Sequence, residues 1–314
     1  MRLTRSRALG LTAAAFGAAP FAAHAQTLEK IRISAVPTDD MTPIFYAIRN
    51  GWYQKAGLDV EVITVNSGSA STQAIVSGVY ELGKASLMGT LIAHTRGLPL
   101  TIVANGAVWI PKSPFNLVLT AADSGIKSAA DCNGKIGGAP GLGDVAQLGL
   151  RLWVDKNGGD SRTIKWVEIP NSAGAAALAE HRIDLMDLNE PQLTAALETG
   201  KIRRLADAFT AIAPRWVASV YIGLPDWINK NKEAVRRWVR ITHEATDWCN
   251  KHKSETVAMM SDVTKIPIEV FRKMHRIEGT TISDPGLLQP VMDLGLRYNI
   301  LSRGFPVAEV YTRV

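Results

Sequence analysis

The sequence alternates short β-branched runs with short helical stretches, and this alternation most restricts the folds open to it. Lys30–Val36 and Leu58–Val65 have the composition of strands, and Pro43–Asn50 between them has the composition of a helix. The alternation continues through a helix at Ala70–Val76 to a strand at Leu100–Ala104. Strands that alternate with single helices predict a parallel sheet with right-handed crossovers. The predicted fold class is therefore α/β.

The same alternation starts again in the middle of the chain and then gives way to helices. The strands predicted in this second half are Asn116–Thr120, Lys135–Gly138, Thr163–Ile169, Ile183–Leu188 and Ile202–Leu205. After a strand at Trp216–Ile222, residues 225–300 are almost continuously helical, and no strand is expected there. We therefore expect two α/β lobes.

The expected lobes share the chain unequally. Residues 26–115 and 215–314 form a discontinuous first lobe, and residues 116–214 form the second. The helical tail is expected to pack back on the first lobe. Two chain crossings, near Asn116 and near Arg215, then join the lobes. Two crossings make a hinge, whereas one crossing would only tether the lobes.

Residues 1–25 have the composition of a secretory signal peptide. Arg2, Arg5 and Arg7 form a basic start, Ala8–Ala19 is apolar, and Ala23–Ala25 is a small-x-small cleavage site. We expect cleavage after Ala25 and export of the remaining chain. No lipid anchor is expected, because neither cysteine lies near the cleavage site.

The net charge gives no support for a nucleic-acid partner. The chain carries 35 basic and 29 acidic residues, for a net charge of +6. The signal segment contributes three arginines and no acid, so its removal lowers the charge to +3. A small excess that is spread along the chain is not a basic nucleic-acid-binding face. After the first thirty residues, no apolar run reaches the roughly 20 residues of a membrane helix.

Catalytic and metal-binding motifs are weak or missing, so neither a cofactor nor a metal is expected. Gly141–Ala146 follows a predicted strand and opens a helix, as a dinucleotide-binding turn does, but this short pattern has low specificity. Its glycines can still expose backbone N–H groups to a polar ligand. His243–Asp247 lacks the last histidine of a zinc H-E-x-x-H motif. Cys132 and Cys249 have no metal-binding spacing, and we expect two unpaired thiols in different lobes.

Segments that lie in order along most of the chain resemble one family. The longest runs from Ile44 to Val62 and includes Asn50-Gly51-Trp52-Tyr53. The others are Ala74–Gly78, Gly97–Ala104, Asp131–Gly138, Ile183–Asp187, Glu190-Pro191 and Leu288–Asp293. This set resembles the solute-binding proteins of ABC importers, of the nitrate, sulfonate and taurine type. That group includes relatives that bind thiamine-pyrimidine precursors. Leu82-Gly83-Lys84 departs from the Asp-Ile/Val-Gly pattern common in the group.

The resemblance implies a two-lobed periplasmic binding protein of type II, which closes on its ligand by hinge motion. It also implies a monomeric periplasmic protein that is not an enzyme and that delivers its ligand to an ABC permease. A second function stays open: an exported or pyrimidine-synthesis-like enzyme, since distant relatives of this fold make the thiamine pyrimidine. The sequence has no His-rich or lysine-centred cofactor site in favour of it.

The ligand is expected beyond the carboxyl ends of the strands, where doubly wound sheets bind small molecules. Caps and turns favour the same polar residues, so any single position can instead have a structural role. The predicted ligand-binding residues are Thr38, Asp40, Met41, Ser67, Ser69, Met88, Trp109, Asp144, Asn189 and Glu190. Whether Arg215 or Trp216 reaches the cleft stays open.

The residue types in these loops restrict the ligand. Asp40, Asp144 and Glu190 lie there, but no lysine or arginine does, unless Arg215 reaches in from the crossing. Carboxylates suit an ammonium, amidine or hydroxyl group. Serines at helix N-termini can hold an anionic group without a cation. The sequence therefore favours a zwitterion such as a taurine-like sulfonate, or a polar heteroaromatic compound, over nitrate.

Overall fold

A computed structural model describes residues 28–312, so the predicted signal peptide lies outside the described residues. The strands are β1 (Glu29–Ala35), β2 (Leu58–Thr64), β3 (Leu82–Ser86), β4 (Thr101–Asn105), β5 (Ala107–Trp109), β6 (Asn116–Ala121), β7 (Ile136–Ala139), β8 (Lys165–Glu168), β9 (Leu185–Asn189), β10 (Ile202–Ala206), β11 (Trp216–Val217), β12 (Ser219–Gly223) and β13 (Glu278–Gly279). The α/β class is confirmed.

Helices connect most of these strands and form the tail. They are α1 (Thr42–Arg49), α2 (Trp52–Lys55), α3 (Gly68–Val76), α4 (Leu87–Thr95), α5 (Val145–Lys156), α6 (Asn171–Ala179), α7 (Gln192–Glu198), α8 (Pro225–Lys230), α9 (Lys232–Lys251), α10 (Val257–Thr264), α11 (Ile268–Lys273) and α12 (Gln289–Arg297). Glycines with positive φ follow several of them, for example Gly78 after α3 and Gly97 after α4. These are the stop signals that the sequence displayed.

Two five-stranded sheets form the framework. The first has the order β2-β1-β3-β12-β4 and the second has the order β10-β6-β9-β7-β8. Four strands of each sheet run in one direction, and one strand, β12 or β6, is antiparallel to both of its neighbours. The expectation of purely parallel sheets is therefore wrong. The chain enters the first sheet through β12, coming from the second sheet, and it enters the second sheet through β6, coming from the first. Each of these strands therefore starts at the edge where the other strands of its sheet end.

A small third sheet joins the two large ones. β5 pairs antiparallel with β11, through Trp109 with Trp216 and Val108 with Val217, and β13 pairs with the other edge of β5. The predicted single strand Trp216–Ile222 is two strands, because Ala218 lies at the change from this sheet to the first large sheet. The tail also contains a short strand, β13, where none was expected. The two chain connections between the large sheets therefore lie side by side.

The tail packs on the first sheet but also reaches the second. The hydroxyl of Tyr53, on α2, hydrogen-bonds Thr242 of α9 at 2.8 Å, inside the core. At the other end of the tail, the Tyr298 hydroxyl donates to Asp155 of α5 at 2.6 Å. One apolar cluster includes Met88 of α4, Leu148 of α5 and residues of α12. Apolar packing therefore continues from one sheet unit to the other.

The two cysteines are buried and unpaired, as predicted. Cys132 lies before β7 of the second sheet, and Cys249 lies on α9 of the tail. Burial raises the pKa of Cys132 to about 11 and that of Cys249 to about 12. Both are therefore inert thiols rather than nucleophiles.

Candidate functional site

The carboxyl-terminal edges of the two large sheets face each other. Burial raises the pKa of Asp144, at the start of α5, and a hydrogen bond from the Ser86 hydroxyl at the end of β3 partly offsets that rise. Burial raises the pKa of Glu190, after β9, and the nearby negative charge of Asp39, after β1, adds a smaller rise. Loops that are far apart in the sequence therefore meet at this junction, where the doubly wound architecture places ligands.

On the first edge, Thr38 and Asp40 belong to a buried network with Lys84 and Ser219. Lys84 Nζ donates to Asp40 Oδ1 at 2.6 Å and to Thr38 Oγ1 at 2.7 Å. Asp40 also accepts from Thr38 at 2.6 Å and from Ser219 at 2.7 Å. Burial alone would raise the pKa of Asp40, but the charge and hydrogen bonds of Lys84 hold it below the usual value. Both carboxylate oxygens of Asp40 therefore already have protein donors.

A second buried ion pair holds the tail to the same edge. The Nε of Arg276 donates to Asp39 Oδ1 at 2.8 Å, and the backbone N–H of Ile277 donates to Asp39 Oδ2 at 2.7 Å. With Lys84, Arg276 corrects the expectation that these loops lack cations. Lys84 was missed because it lies within a strand, and Arg276 because it lies in the distant tail. Arg215 is exposed.

The apolar candidates lie inside the protein. Met41 and Met88 are fully buried in two different apolar clusters. Trp109 is also fully buried, 6.2 Å from the ring centroid of Trp216, and Phe209 packs edge-on against both indoles. The two methionines thus act as packing residues in this structure. The two tryptophans lie on the paired strands β5 and β11 that connect the two large sheets, next to the facing edges.

The serine candidates lie at the start of α3. The Ser67 hydroxyl accepts from the Ala70 backbone N–H at 3.1 Å and hydrogen-bonds the Ser69 hydroxyl at 2.9 Å. Ser67 is therefore an N-cap. Ser69 is exposed and can turn its hydroxyl toward a ligand.

The glycine-rich turn before α5 is closed by its own side chains. Gly143 has a φ of 82°, and its N–H donates to the buried Gln147 Oε1 at 2.6 Å. The Asp144 carboxylate accepts from the Val145 N–H at 2.7 Å, and burial raises its pKa. This turn therefore offers fewer free N–H groups than a dinucleotide-binding turn needs.

Glu190 is a buried cap rather than an exposed acid. Its carboxylate accepts from the Thr194 backbone N–H at 3.0 Å and from the Thr194 hydroxyl at 2.8 Å, in the first turn of α7. Burial raises its pKa to about 7, and these two hydrogen bonds only partly offset that rise. The neighbouring Asn189 is half-buried, and its Oδ1 has no partner in the protein.

Two acids that the sequence analysis missed lie on the second edge: Asp187 in β9 and Asp207 directly after β10. Asp187 of β9 is 2% exposed and accepts from Asn116 Nδ2 at 2.5 Å. Burial, and to a smaller extent the negative charges of Asp207 and Asp144, raise its pKa to about 8, although the hydrogen bond from Asn116 opposes the rise. An acid inside an otherwise apolar strand was the signal that could have identified Asp187.

Buried polar atoms without a protein partner concentrate at this junction. Ten such side-chain atoms occur among residues 28–312, and seven belong to the second edge or to the connecting strands β5 and β11. They are Trp109 Nε1, Asn171 Oδ1, Asp187 Oδ2, Asn189 Oδ1, Gln192 Oε1, Asp207 Oδ1 and Trp216 Nε1. Because buried polar groups are normally hydrogen-bonded, such a concentration indicates a ligand or ordered water.

Two cavities lie away from this junction. One of about 380 Å³ lies on the outer face of α9 around His243, and one of about 570 Å³ lies between Arg151 of α5 and Tyr298 of the tail. Neither includes a predicted ligand-binding residue. Within residues 28–312, no cluster of His, Cys, Asp and Glu side chains is placed to hold a metal. In the same part of the chain, every helix is too short or too polar to cross a bilayer.

A family model described as NMT1/THI5 like matches residues 38–256. The formylaminopyrimidine-binding protein of Halalkalibacterium halodurans is 27% identical over 154 residues, covering 49% of this chain and 45% of that protein. A 4-amino-5-hydroxymethyl-2-methylpyrimidine phosphate synthase of Saccharomyces cerevisiae is 26% identical over 223 residues, covering 68% and 64%. These matches thus span about half to two thirds of the curated relatives.

A solved structure extends the likeness to almost the whole chain. The alkanesulfonate-binding protein from Xanthomonas axonopodis pv. citri, bound to MOPS, has a TM-score of 0.77 at 18% identity. The alignment covers 91% of this chain and 98% of that chain. The periplasmic binding protein fold is therefore confirmed, as is the resemblance to sulfonate-binding proteins with thiamine-pyrimidine relatives.

Proposed function

Because the chain belongs to the NMT1/THI5-like family, we propose that it is the solute-binding component of an ABC importer. It captures a small polar organic ligand between the facing edges of its two sheets and delivers it to the permease. It is exported through the signal peptide at residues 1–25 and acts as a periplasmic monomer. The seven unpartnered buried polar atoms at the junction carry this proposal.

The lobes of this proposal are those expected from the sequence, with residues 116–214 as the second lobe. The paired strands β5 and β11 connect the lobes and form the hinge. Two short antiparallel strands can flex together and so turn one sheet against the other. A ligand that contacts both edges stabilises the closed form only through groups whose contacts differ between open and closed states.

The proposed ligand contacts are a subset of the predicted residues, together with the two missed acids. Ser69 serves on the first edge, beside the N-cap Ser67, and Asp144, Asn189, Asp187 and Asp207 serve on the second, with Trp109 and Trp216 at the hinge. Thr38, Asp40 and Glu190 support these contacts from behind, because their polar atoms already bind other protein groups. Met41 and Met88 support them through packing.

The ligand is a taurine-like sulfonate or a polar heteroaromatic compound. A sulfonate is the kind of ligand named for the alkanesulfonate-binding protein, and a heteroaromatic compound is the kind named for the formylaminopyrimidine-binding protein. Thermal-shift screening of residues 26–314 against sulfonates, amino acids, aromatic acids and pyrimidines tests the proposal, because binding to the native state raises the melting temperature. Any hit should also shrink the protein in small-angle X-ray scattering. A set of hits without such closure would contradict the hinge mechanism.

An enzymatic function is the second candidate, because the synthase from Saccharomyces cerevisiae aligns with two thirds of this chain. The two functions differ in what happens to the bound compound. A binding protein returns its ligand unchanged, whereas an enzyme releases a product. Mass spectrometry of each hit after prolonged incubation with stoichiometric protein distinguishes them. Neighbouring permease and ATPase genes would favour the importer.

A further inference from the structure

The cavity between α5 and the tail is lined by arginines and lies apart from the junction of the two facing edges. Its volume is about 570 Å³, which is in the range of small-molecule sites. The charged side chains that line it are three arginines, Arg151, Arg162 and Arg297, and two acids, Asp155 and Asp160. The cavity lining therefore carries more positive than negative charge.

The two acids of this cavity already have donors within the protein. Asp155 accepts from the Ser161 backbone N–H at 2.8 Å, from the Ser161 hydroxyl at 3.1 Å and from the Tyr298 hydroxyl at 2.6 Å. Asp160 accepts from Nε and Nη2 of Arg162 at 2.9 Å and 2.8 Å. Arg162 is thus neutralised by Asp160, whereas the hydrogen bonds of Asp155 come from uncharged groups.

The other two arginines lie beside one aromatic ring and have no carboxylate partner. The guanidinium carbons of Arg151 and Arg297 are 4.3 Å and 5.9 Å from the centroid of the Tyr298 ring. Within residues 28–312 neither arginine forms an ion pair, and Arg151 Nε makes only a weak contact of 3.5 Å with the Ser161 hydroxyl. Like charges that lie close together repel, and an anion between them removes this cost. The N–H groups of both guanidinium forks remain available to donate to such an anion.

The two arginines come from different parts of the molecule. Arg151 lies on α5 of the second sheet unit, and Arg297 ends α12 of the tail, which packs on the first sheet. Burial and the carboxylate of Asp155 raise the pKa of Tyr298, and the Arg297 guanidinium opposes this rise. The charge of Arg297 thus acts close to the contact between the Tyr298 hydroxyl and α5. An anion bound by both arginines therefore joins the tail to the second sheet unit.

We propose that this cavity is a second binding site, which takes a small oxyanion group such as phosphate, free or at the end of a small molecule. Arg151 and Arg297 donate to its oxygens, since guanidinium groups form short, strong hydrogen bonds with phosphate. None of the predicted ligand-binding residues lines the cavity, so it is separate from the cleft. Because the two arginines belong to different lobes, the anion also stabilises the closed form. Only this effect on closure rests on the proposed function.

Titration calorimetry of residues 26–314 with inorganic phosphate, at low ionic strength, should detect binding. Arg151→Gln and Arg297→Gln should each weaken it on the order of 10- to 100-fold, the worth of one hydrogen bond to a charged group. Arg297→Lys should restore only part of the affinity, because an ammonium group lacks the guanidinium fork. Arg96→Gln is the control for net charge and should not change it. Arg96 is exposed, follows a helix as its C-cap and lies outside the cavity.

Phenyl phosphate, titrated in the same way, distinguishes an esterified phosphate from the free ion, because the tighter binder identifies the source. If neither compound binds, or if the wild type, Arg151→Gln and Arg297→Gln bind equally, the inference is overturned. An unchanged melting temperature of Arg297→Gln without phosphate shows that the fold is intact. This exposed residue supplies the answer if Arg151→Gln is unstable.

The outcomes separate this inference from the proposed function. Asn189→Ala alters the cleft and should leave phosphate binding unchanged. Loss of phosphate binding in Asn189→Ala, but not in Arg297→Gln, would place the anion in the cleft and overturn the inference while supporting the proposed function. In small-angle scattering, phosphate should make the wild type more compact and Arg297→Gln no more compact. Binding at the arginines without this change would contradict the effect on closure and leave the site itself supported.

Discussion

Replacing Lys84 by Met tests whether the first edge depends on a buried ion pair. The ammonium group lies 2.6 Å from Asp40 Oδ1, and the two side chains are only 13% and 6% exposed. Methionine keeps the length and the apolar stem of the side chain but removes the charge. Asp40 then stays buried with the hydroxyl groups of Thr38 and Ser219 as its remaining donors.

The expected cost follows from this geometry. Removing one partner of a buried ion pair costs about 3–5 kcal/mol, because the other charge is left uncompensated. Two hydroxyl donors remain on Asp40, so we expect the lower end, about 3 kcal/mol. An additional Asp40→Asn substitution should restore much of the lost stability, because it removes the unpaired buried charge.

The effect should also depend on pH. With Lys84 present, the pKa of Asp40 is lower than its usual value, so the stability from this carboxylate is present above about pH 4. It is lost as the pH falls through the lowered folded pKa. Without Lys84, burial raises the pKa of Asp40, and protonation stabilises the variant. The difference in the free energy of unfolding between the wild type and Lys84→Met should therefore become smaller as the pH falls.

Urea denaturation followed by tryptophan fluorescence measures the loss. Lys30→Met is the matched control, because Lys30 also lies in the first sheet and pairs with Glu61 at 3.0 Å, but with side chains 55% and 49% exposed. Such a pair contributes about 0–1 kcal/mol. A Lys84→Met variant no less stable than Lys30→Met would refute the reasoning.

Three further predictions concern other parts of the molecule. Burial raises the pKa of Glu190 to about 7, so the folded protein keeps a proton that the unfolded chain releases near pH 4. The stabilisation that this proton provides is fully present below about pH 4 and is lost as the pH rises to about 7. Glu190→Gln should therefore flatten the plot of melting temperature against pH between about pH 4 and 7. An unchanged slope would contradict the raised pKa of Glu190. Cys132 and Cys249 should both react with a thiol reagent in denatured, unreduced protein and only slowly in the native state; a monomer without free thiols would exclude the structure described. Tyr298→Phe removes the 2.6 Å hydrogen bond to Asp155 and should cost about 1 kcal/mol in urea denaturation, whereas no loss would mean that water replaces the hydroxyl fully.

Local patterns in the sequence were sufficient for most of the elements. β1, α1 and α5 lie within one or two residues of their predicted bounds, because strand composition, cap residues and glycine stops act over a few residues. The direction of β6 and β12 could not be read in this way. It depends on which edge of the sheet the chain enters, which is a property of the connections between the sheets.

The candidate site was predicted only in part. Loops such as Ser67–Ser69 and Asn189–Glu190 lie at the facing edges, where the rule for doubly wound sheets places them. Their exact roles were not readable, because an acid such as Glu190 can cap its own helix as well as bind a ligand. Asp187 was missed because it lies inside a strand, where the pattern predicts packing.

The sequence by itself determined the α/β class, the restart of the strand–helix pattern that gives two large sheets, and the family, because these depend on periodicity and on short motifs in a fixed order. Only the tertiary structure decided which polar groups have partners. Lys84 neutralises Asp40, and Arg276 neutralises Asp39 from more than 200 residues away, whereas Asp187 and Asp207 form no ion pair within residues 28–312. The reason is physical: the state of a charge depends on its burial and on the charges within a few ångströms, and distance in space is not encoded by distance along the chain.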